Sequence, residues 1–166
     1  MIRSIQDFVT VWNQEAASTQ NLFKNLSDAT LSQAITNEHR DIGRLAWHIT
    51  TTIREMMERT GLHIIGPEPT APVPTSAGEI ARAYAESADS LVKALDSWTD
   101  ETLEQKDNLY GEEWKRSLTL QILLLHQTHH RGQLTVLMRQ AGLPIAGMYG
   151  PTKEDWSKFG MPTPEI

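Results

Sequence analysis

The sequence predicts an all-α fold, a four-helix bundle. Apolar residues recur at spacings of three, four and seven in four long segments, no alternating pattern of a half-buried strand persists, and glycine and proline fall between the periodic segments. Four amphipathic stripes without a sheet to pack on bury their apolar faces against one another.

The first stripe comprises Phe8, Val11, Trp12, Leu22, Phe23 and Leu26, and Ser27-Asp28 interrupts it. A second helix is predicted from Asp41 to Thr60, with Ile42, Leu45, Ile49, Ile53, Met56 and Met57 on its apolar side and Gly61 as its stop. Alternating prolines between Gly66 and Thr75 exclude helix and predict an extended, semi-rigid connector. Ser76 with Glu79 reads as a capping box opening a third helix that runs to Trp98, its core face formed by Ile80, Tyr84, Leu91, Val92 and Leu95. Residues 99–116 read as a connection containing a short hairpin around Gly111. Ser117 is the expected N-cap of a fourth helix, Leu118 to Ala141, closed by Gly142 with Pro144 beyond. The tail, residues 143–166, is irregular and carries two aromatic anchors, Tyr149 and Trp156.

At 166 residues the chain suits one domain, 1–166, with a core that needs no staples. It has no cysteine, which excludes disulfides, thiolate metal sites, iron–sulfur clusters and a cysteine nucleophile. A net charge of -6 argues against nucleic acid and against an acidic membrane surface as partners. The first residues turn polar at once, and no apolar run approaches the roughly 20 residues of a membrane span, so a cytoplasmic protein is expected.

His126 and His130 stand four apart in the fourth helix and project from one face beside Leu123, Leu134 and Leu137. Two core histidines satisfied by ordinary hydrogen bonds would explain that pair alone. His48, on the apolar side of the second helix, adds a third inward imidazole. Each would need a partner, at about 1–3 kcal/mol per unsatisfied group, and one divalent metal satisfies all three. Three protein ligands and an open position are the arrangement of a catalytic metal site. A di-iron carboxylate bundle is excluded because no Glu is followed by His at the Glu-x-x-His spacing. A zincin is excluded because Gln127 stands where its Glu would be. His129 faces about 100° away from His130, outward or toward a dimer interface, while His39 and His63 are expected to be solvated.

The segment His126-Gln127-Thr128-His129-His130-Arg131-Gly132-Gln133-Leu134 resembles the His-x-x-x-His-Arg-Gly-Gln signature of the DinB superfamily, the DinB/YfiT-like metalloenzymes. Gly43-Arg44-Leu45-Ala46-Trp47-His48-Ile49 resembles that family's first histidine motif, and Gly147 to Pro151 followed by Trp156 is similar to its C-termini. The resemblance implies a DinB/YfiT-like bundle binding one divalent metal, nickel or zinc, through His48, His126 and His130. It further implies a homodimer and an enzyme acting on a small-molecule substrate: a thiol-dependent S-transferase related to bacillithiol S-transferases, with a low-molecular-weight thiol as cosubstrate, or a hydrolase. The alternative is a non-catalytic, stress-related bundle that binds metal or a partner. Both enzymatic readings share one site, because an open-site divalent ion lowers the pKa of a bound thiol or water.

Helical spacing places Thr51, Thr52 and Glu55 on the side of His48. Glu55 is a candidate to orient a ligand or act as a base, against its reading as a solvated surface carboxylate. Arg131 points away from the ligand face and reads as a clamp on another helix or the tail. Gly132, in mid-helix, suggests close approach of another segment. Trp47 and Trp114 line either the pocket or the core. Val9 and Ala85 are the extra apolar residues that suggest dimerisation through helix faces, and the tail is expected to fold back near the metal.

Overall fold

Ser4 opens the first helix, its hydroxyl accepting from the Asp7 amide at 3.0 Å, and the chain then stays helical from Ile5 to Phe23 (α1). The computed structural model describes residues 2–165, so Met1 and Ile166, the outermost residues of the predicted domain, lie outside the described residues. Asp41 caps α2, Ile42–Glu58, by accepting from the Arg44 amide at 2.7 Å. Then follow α3, Ala77–Ala94, strands β1, Lys106–Leu109, and β2, Glu112–Lys115, and α4, Arg116–Gln140. The strands pair antiparallel, with Lys106 opposite Lys115 and Leu109 opposite Glu112. They form the predicted hairpin, turned by Tyr110 and Gly111 with φ of 57° and 88°.

The all-α four-helix bundle expected from periodicity is the architecture observed, with this small hairpin added. In cross-section α1 touches α3 and α4, and α2 touches α3 and α4. Cross-links give the directions. Ala77 N donates to Asp28 Oδ1 and Ile5 N to Asp100 Oδ1, so α3 runs against α1. Gln127 reaches Ile49 O and Arg116 reaches Thr60 O, so α4 runs against α2. The helices therefore run up, down, down, up. This explains the proline-rich connector: α2 and α3 are parallel, so residues 59–76 must return the length of the bundle as extended chain. Trp47 Nε1 pins it by donating to Ala71 O at 2.9 Å. Where it crosses α3 only glycine fits, since a Cβ on Gly66 would lie 2.2 Å from Ser87 Oγ.

Two predicted caps are corrected. Ser76 stands at the N-cap position but makes no side-chain cap, and Asp28, from the α1–α2 connection, accepts from the first amide of α3 at 2.8 Å. Ser117 lies inside α4 and is buried, because β2 feeds directly into the helix and Arg116 N donates to Gln105 O at 2.9 Å. Gly142 does end α4, with φ of 71°. Gly132 is also corrected: it is exposed, and an added Cβ would meet nothing within 4 Å. Gly132→Ala is therefore expected to stabilise the chain by about 1 kcal/mol, seen as a rise in melting temperature of about 2–4 °C. A fall would mean that another chain approaches there. No helix among the described residues is long and apolar enough to cross a membrane.

Candidate metal centre

The antiparallel pairing of α2 with α4 brings the three predicted histidines together. His48 Nε2 lies 3.2 Å from both His126 Nε2 and His130 Nε2, and those two are 3.1 Å apart. His126 and His130 reach one point because four residues separate them on α4. The α2–α4 spacing is fixed between them, where buried Gln127 donates to Ile49 O at 2.8 Å.

The donor set fits a metal ion. Bonds of about 2.0–2.1 Å in tetrahedral geometry separate donor nitrogens by about 3.3–3.4 Å, close to the three edges seen here. The tautomers fit as well. His130 Nδ1 lies 2.8 Å from Gln133 Oε1, an acceptor, so the proton sits on Nδ1 and Nε2 offers a lone pair to the shared centre. The Gln133 amide nitrogen turns the other way, 3.2 Å from His129 Nε2. Thr52 lies beside His48 and donates to its carbonyl at 2.6 Å, whereas Thr51 bonds only the Trp47 carbonyl. His126 Nδ1 is buried without a partner among the described residues.

Electrostatics keep these rings neutral. Burial, then the charges of Arg40, His130 and His126, pushes the His48 pKa down to about 3. Burial, followed by His130, His129 and Arg40 and opposed by Glu55, takes His126 down to about 4. Burial also lowers His130, opposed by the hydrogen bond its Nδ1 donates to Gln133 Oε1. In metal-free protein His48 and His126 should thus remain neutral at pH 5, where an ordinary imidazole of pKa about 6.5 is mostly protonated. The native state then holds fewer protons than the unfolded chain over this window, so metal-free stability falls as pH drops from about 6.5 toward 4. Histidine-resolved NMR titration checks this, and three midpoints near the ordinary value would contradict it.

Glu55 is partly buried and is not simply solvated. Its carboxylate accepts from Arg59 Nε at 2.8 Å and from Tyr110 OH at 2.6 Å, docking the hairpin, and it bonds no histidine among the described residues. On the opposite side, toward the loop before α2, a cavity of about 450 Å³ opens beside His130. Ile35, His39, Arg40, Gln133 and Val136 are among its lining residues. Neither Trp47 nor Trp114 lines it: Trp47 is core, and Trp114 belongs to the hairpin. His63 and His39 are both exposed as expected, and His39 also borders this cavity.

Arg131 is the predicted clamp. It is 1% exposed and donates to Glu15 O at 2.8 Å, Thr19 Oγ1 at 3.1 Å, the Glu15 carboxylate and Tyr149 OH at 2.6 Å. It ties α4 to α1 and to the tail. The tail's anchors include Glu15, Thr128 and Arg131 through Tyr149, Asn25 through Pro144, and Arg139 through Glu154. The tail therefore folds back on the bundle as expected, but its Tyr149 and Pro144 contacts lie on the α1 side of α4 and not beside the three histidines. Sequence reasoning also missed Arg40 and the loop carrying it, which has no periodicity to place it.

Comparisons with known proteins agree with this geometry. The family model described as DinB family matches residues 1–165. A Bacillus subtilis protein described as uncharacterized protein YrdA is 42% identical over 167 residues, covering 100% of both chains. The crystal structure of a DinB-like protein from Bacillus cereus is 43% identical with a TM-score of 0.86, over 90% of this chain and 100% of that one. A DinB-like protein from Bacillus subtilis, YjoA, shares the fold alone, at 21% identity and a TM-score of 0.67 over 87% and 99% of the two chains. With the signature histidines meeting at one point and the family model spanning the sequence, the chain belongs to the DinB family.

Proposed function

We propose that this protein is a metal-dependent enzyme in which His48, His126 and His130 hold one divalent ion, nickel or zinc. In this reading it acts on a small electrophile, as a thiol-dependent S-transferase with a low-molecular-weight thiol as cosubstrate or as a hydrolase. The observation that carries the reading is the triangle of Nε2 atoms, 3.1–3.2 Å on each edge, beside a cavity lined by His130. A bundle that only stored metal or bound a partner under stress would seal the centre with core residues, and the cavity argues against that alternative.

A divalent ion there supplies Lewis acidity that favours the deprotonated form of a thiol or water. The chain's own residues do the rest. Gln133 holds His130 in the tautomer whose lone pair faces the centre, Gln127 fixes the distance between the two ligand helices, and Leu45 and Leu137 wall the cavity with apolar surface. Glu55, already engaged by Arg59 and Tyr110, positions the hairpin and biases His126 electrostatically, and this reading gives it no proton to move. The test is a screen of metal-loaded protein against electrophiles, with and without low-molecular-weight thiols. Turnover that disappears in the three histidine variants is expected, and turnover independent of them would overturn the mechanism.

The proposal includes a cytoplasmic homodimer. Val9 and Ala85 are partly buried, and apolar side chains are instead exposed at Val11 on α1 and at Leu118 and Leu125, seven residues apart on α4. Light scattering is expected to give twice the 18.7 kDa chain mass, and a monomer at micromolar concentration would contradict it.

A further inference from the structure

The loop before α2 is held rigidly against the helix that carries His48. Ile42 N donates to Gln33 O at 2.9 Å and Gly43 N to Leu31 O at 2.8 Å. A Cβ on Gly43 would already lie 3.3 Å from Leu31 Cβ. Arg40 leaves the chain one residue before the Asp41 cap and is exposed. It lines the cavity beside His130, and it makes no ion pair among the described residues. Glu38 lines the same cavity but forms no ion pair with Arg40 among the described residues, so the guanidinium keeps its donors. Ile35 and Val136 line it too, and they leave 62% and 52% of their surfaces exposed, apolar area that a ligand would cover.

We infer that this cavity takes a small organic carboxylate, with its acid group on Arg40 and its hydrocarbon part on Ile35 and Val136. An unpaired guanidinium offers a fork that matches a carboxylate, and the apolar lining rewards a short chain or an aromatic ring. The inference deepens the proposed function by naming the charge of its substrate, and it rests on that reading for what happens at the histidine end. A carboxylated electrophile and a carboxylated thiol share this chemistry.

Calorimetric titration of metal-free and zinc-loaded protein with hexanoate and benzoate, against hexanamide and benzamide, tests the assignment. The acids are expected to bind wild-type protein at least about tenfold tighter than the amides, with and without zinc, as a charge-assisted pair requires. Arg40→Gln should erase the difference, Arg40→Lys should keep part of it, and both variants should still take up one zinc per chain. Equal binding of acid and amide, or Arg40→Gln binding the acids as tightly as wild type, would overturn the inference. If zinc fails to bind while the acids still depend on Arg40, the metal reading falls and the anion site stands. 3-Mercaptopropanoate binding tighter than hexanoate in zinc-loaded but not in metal-free protein would place the carboxylate on the thiol cosubstrate, and no such gain would place it on the electrophile. Failure of the two acids to compete would overturn a single carboxylate site at Arg40.

Discussion

Replacing His48, His126 or His130 singly with alanine is expected to weaken divalent-metal binding by more than about 100-fold, since even outer partners of metal ligands are worth about 10–100-fold. The three nitrogens are equivalent corners of one triangle, so the three variants should behave alike. Without metal, the His48 and His126 variants should lose less stability than the parent as pH falls from about 6.5 toward 4, because one ring that resists protonation in the folded state is gone. Metal titration and thermal melting of the metal-free proteins separate the two effects. A variant that binds metal like the parent would remove that histidine from the site.

The second large effect concerns Arg131, which shares the signature with His130 and serves stability. Arg131→Met leaves the Glu15 carboxylate, 13% exposed, without its cation, and strips donors from Glu15 O, Thr19 and Tyr149. Breaking a buried pair on one side costs about 3–5 kcal/mol, and in a chain of this size the melting temperature should fall by about 6–20 °C. Glu15→Gln in the same background should recover part of the loss, because the uncompensated charge is gone. Metal affinity should persist in whatever remains folded. Loss of metal binding without loss of stability would assign Arg131 to the site instead.

These two residues mark what could be read from the chain. His126, His130 and Arg131 lie within one turn and a half of a strongly periodic helix, so spacing alone separates the ligand face from the clamp face. His48 joined them only on the premise that its helix neighbours the fourth, and the Gln127–Ile49 and Arg116–Thr60 contacts show how that pairing is fixed. Local rules failed where a distant partner took over. Ser76 has the sequence of a cap, but Asp28 does its work from 49 residues away. Gly132 reads as a close-packing position and faces open space. Arg40 and His39 sit in a loop without periodicity, so nothing local tells that backbone bonds to Leu31 and Gln33 turn that loop toward the histidines. The same holds for Glu55, whose spacing put it on the correct side of its helix but could not reveal that a hairpin tyrosine would occupy it.

The central claim, one divalent ion on three imidazoles, is tested most directly by X-ray absorption spectroscopy at the metal edge on protein loaded with one equivalent of zinc or nickel. The account predicts stoichiometric binding and a first shell containing three imidazole nitrogens, with about 2.0–2.1 Å expected for zinc. Binding well below one ion per chain, or a first shell of oxygen with fewer than two imidazoles, would contradict it.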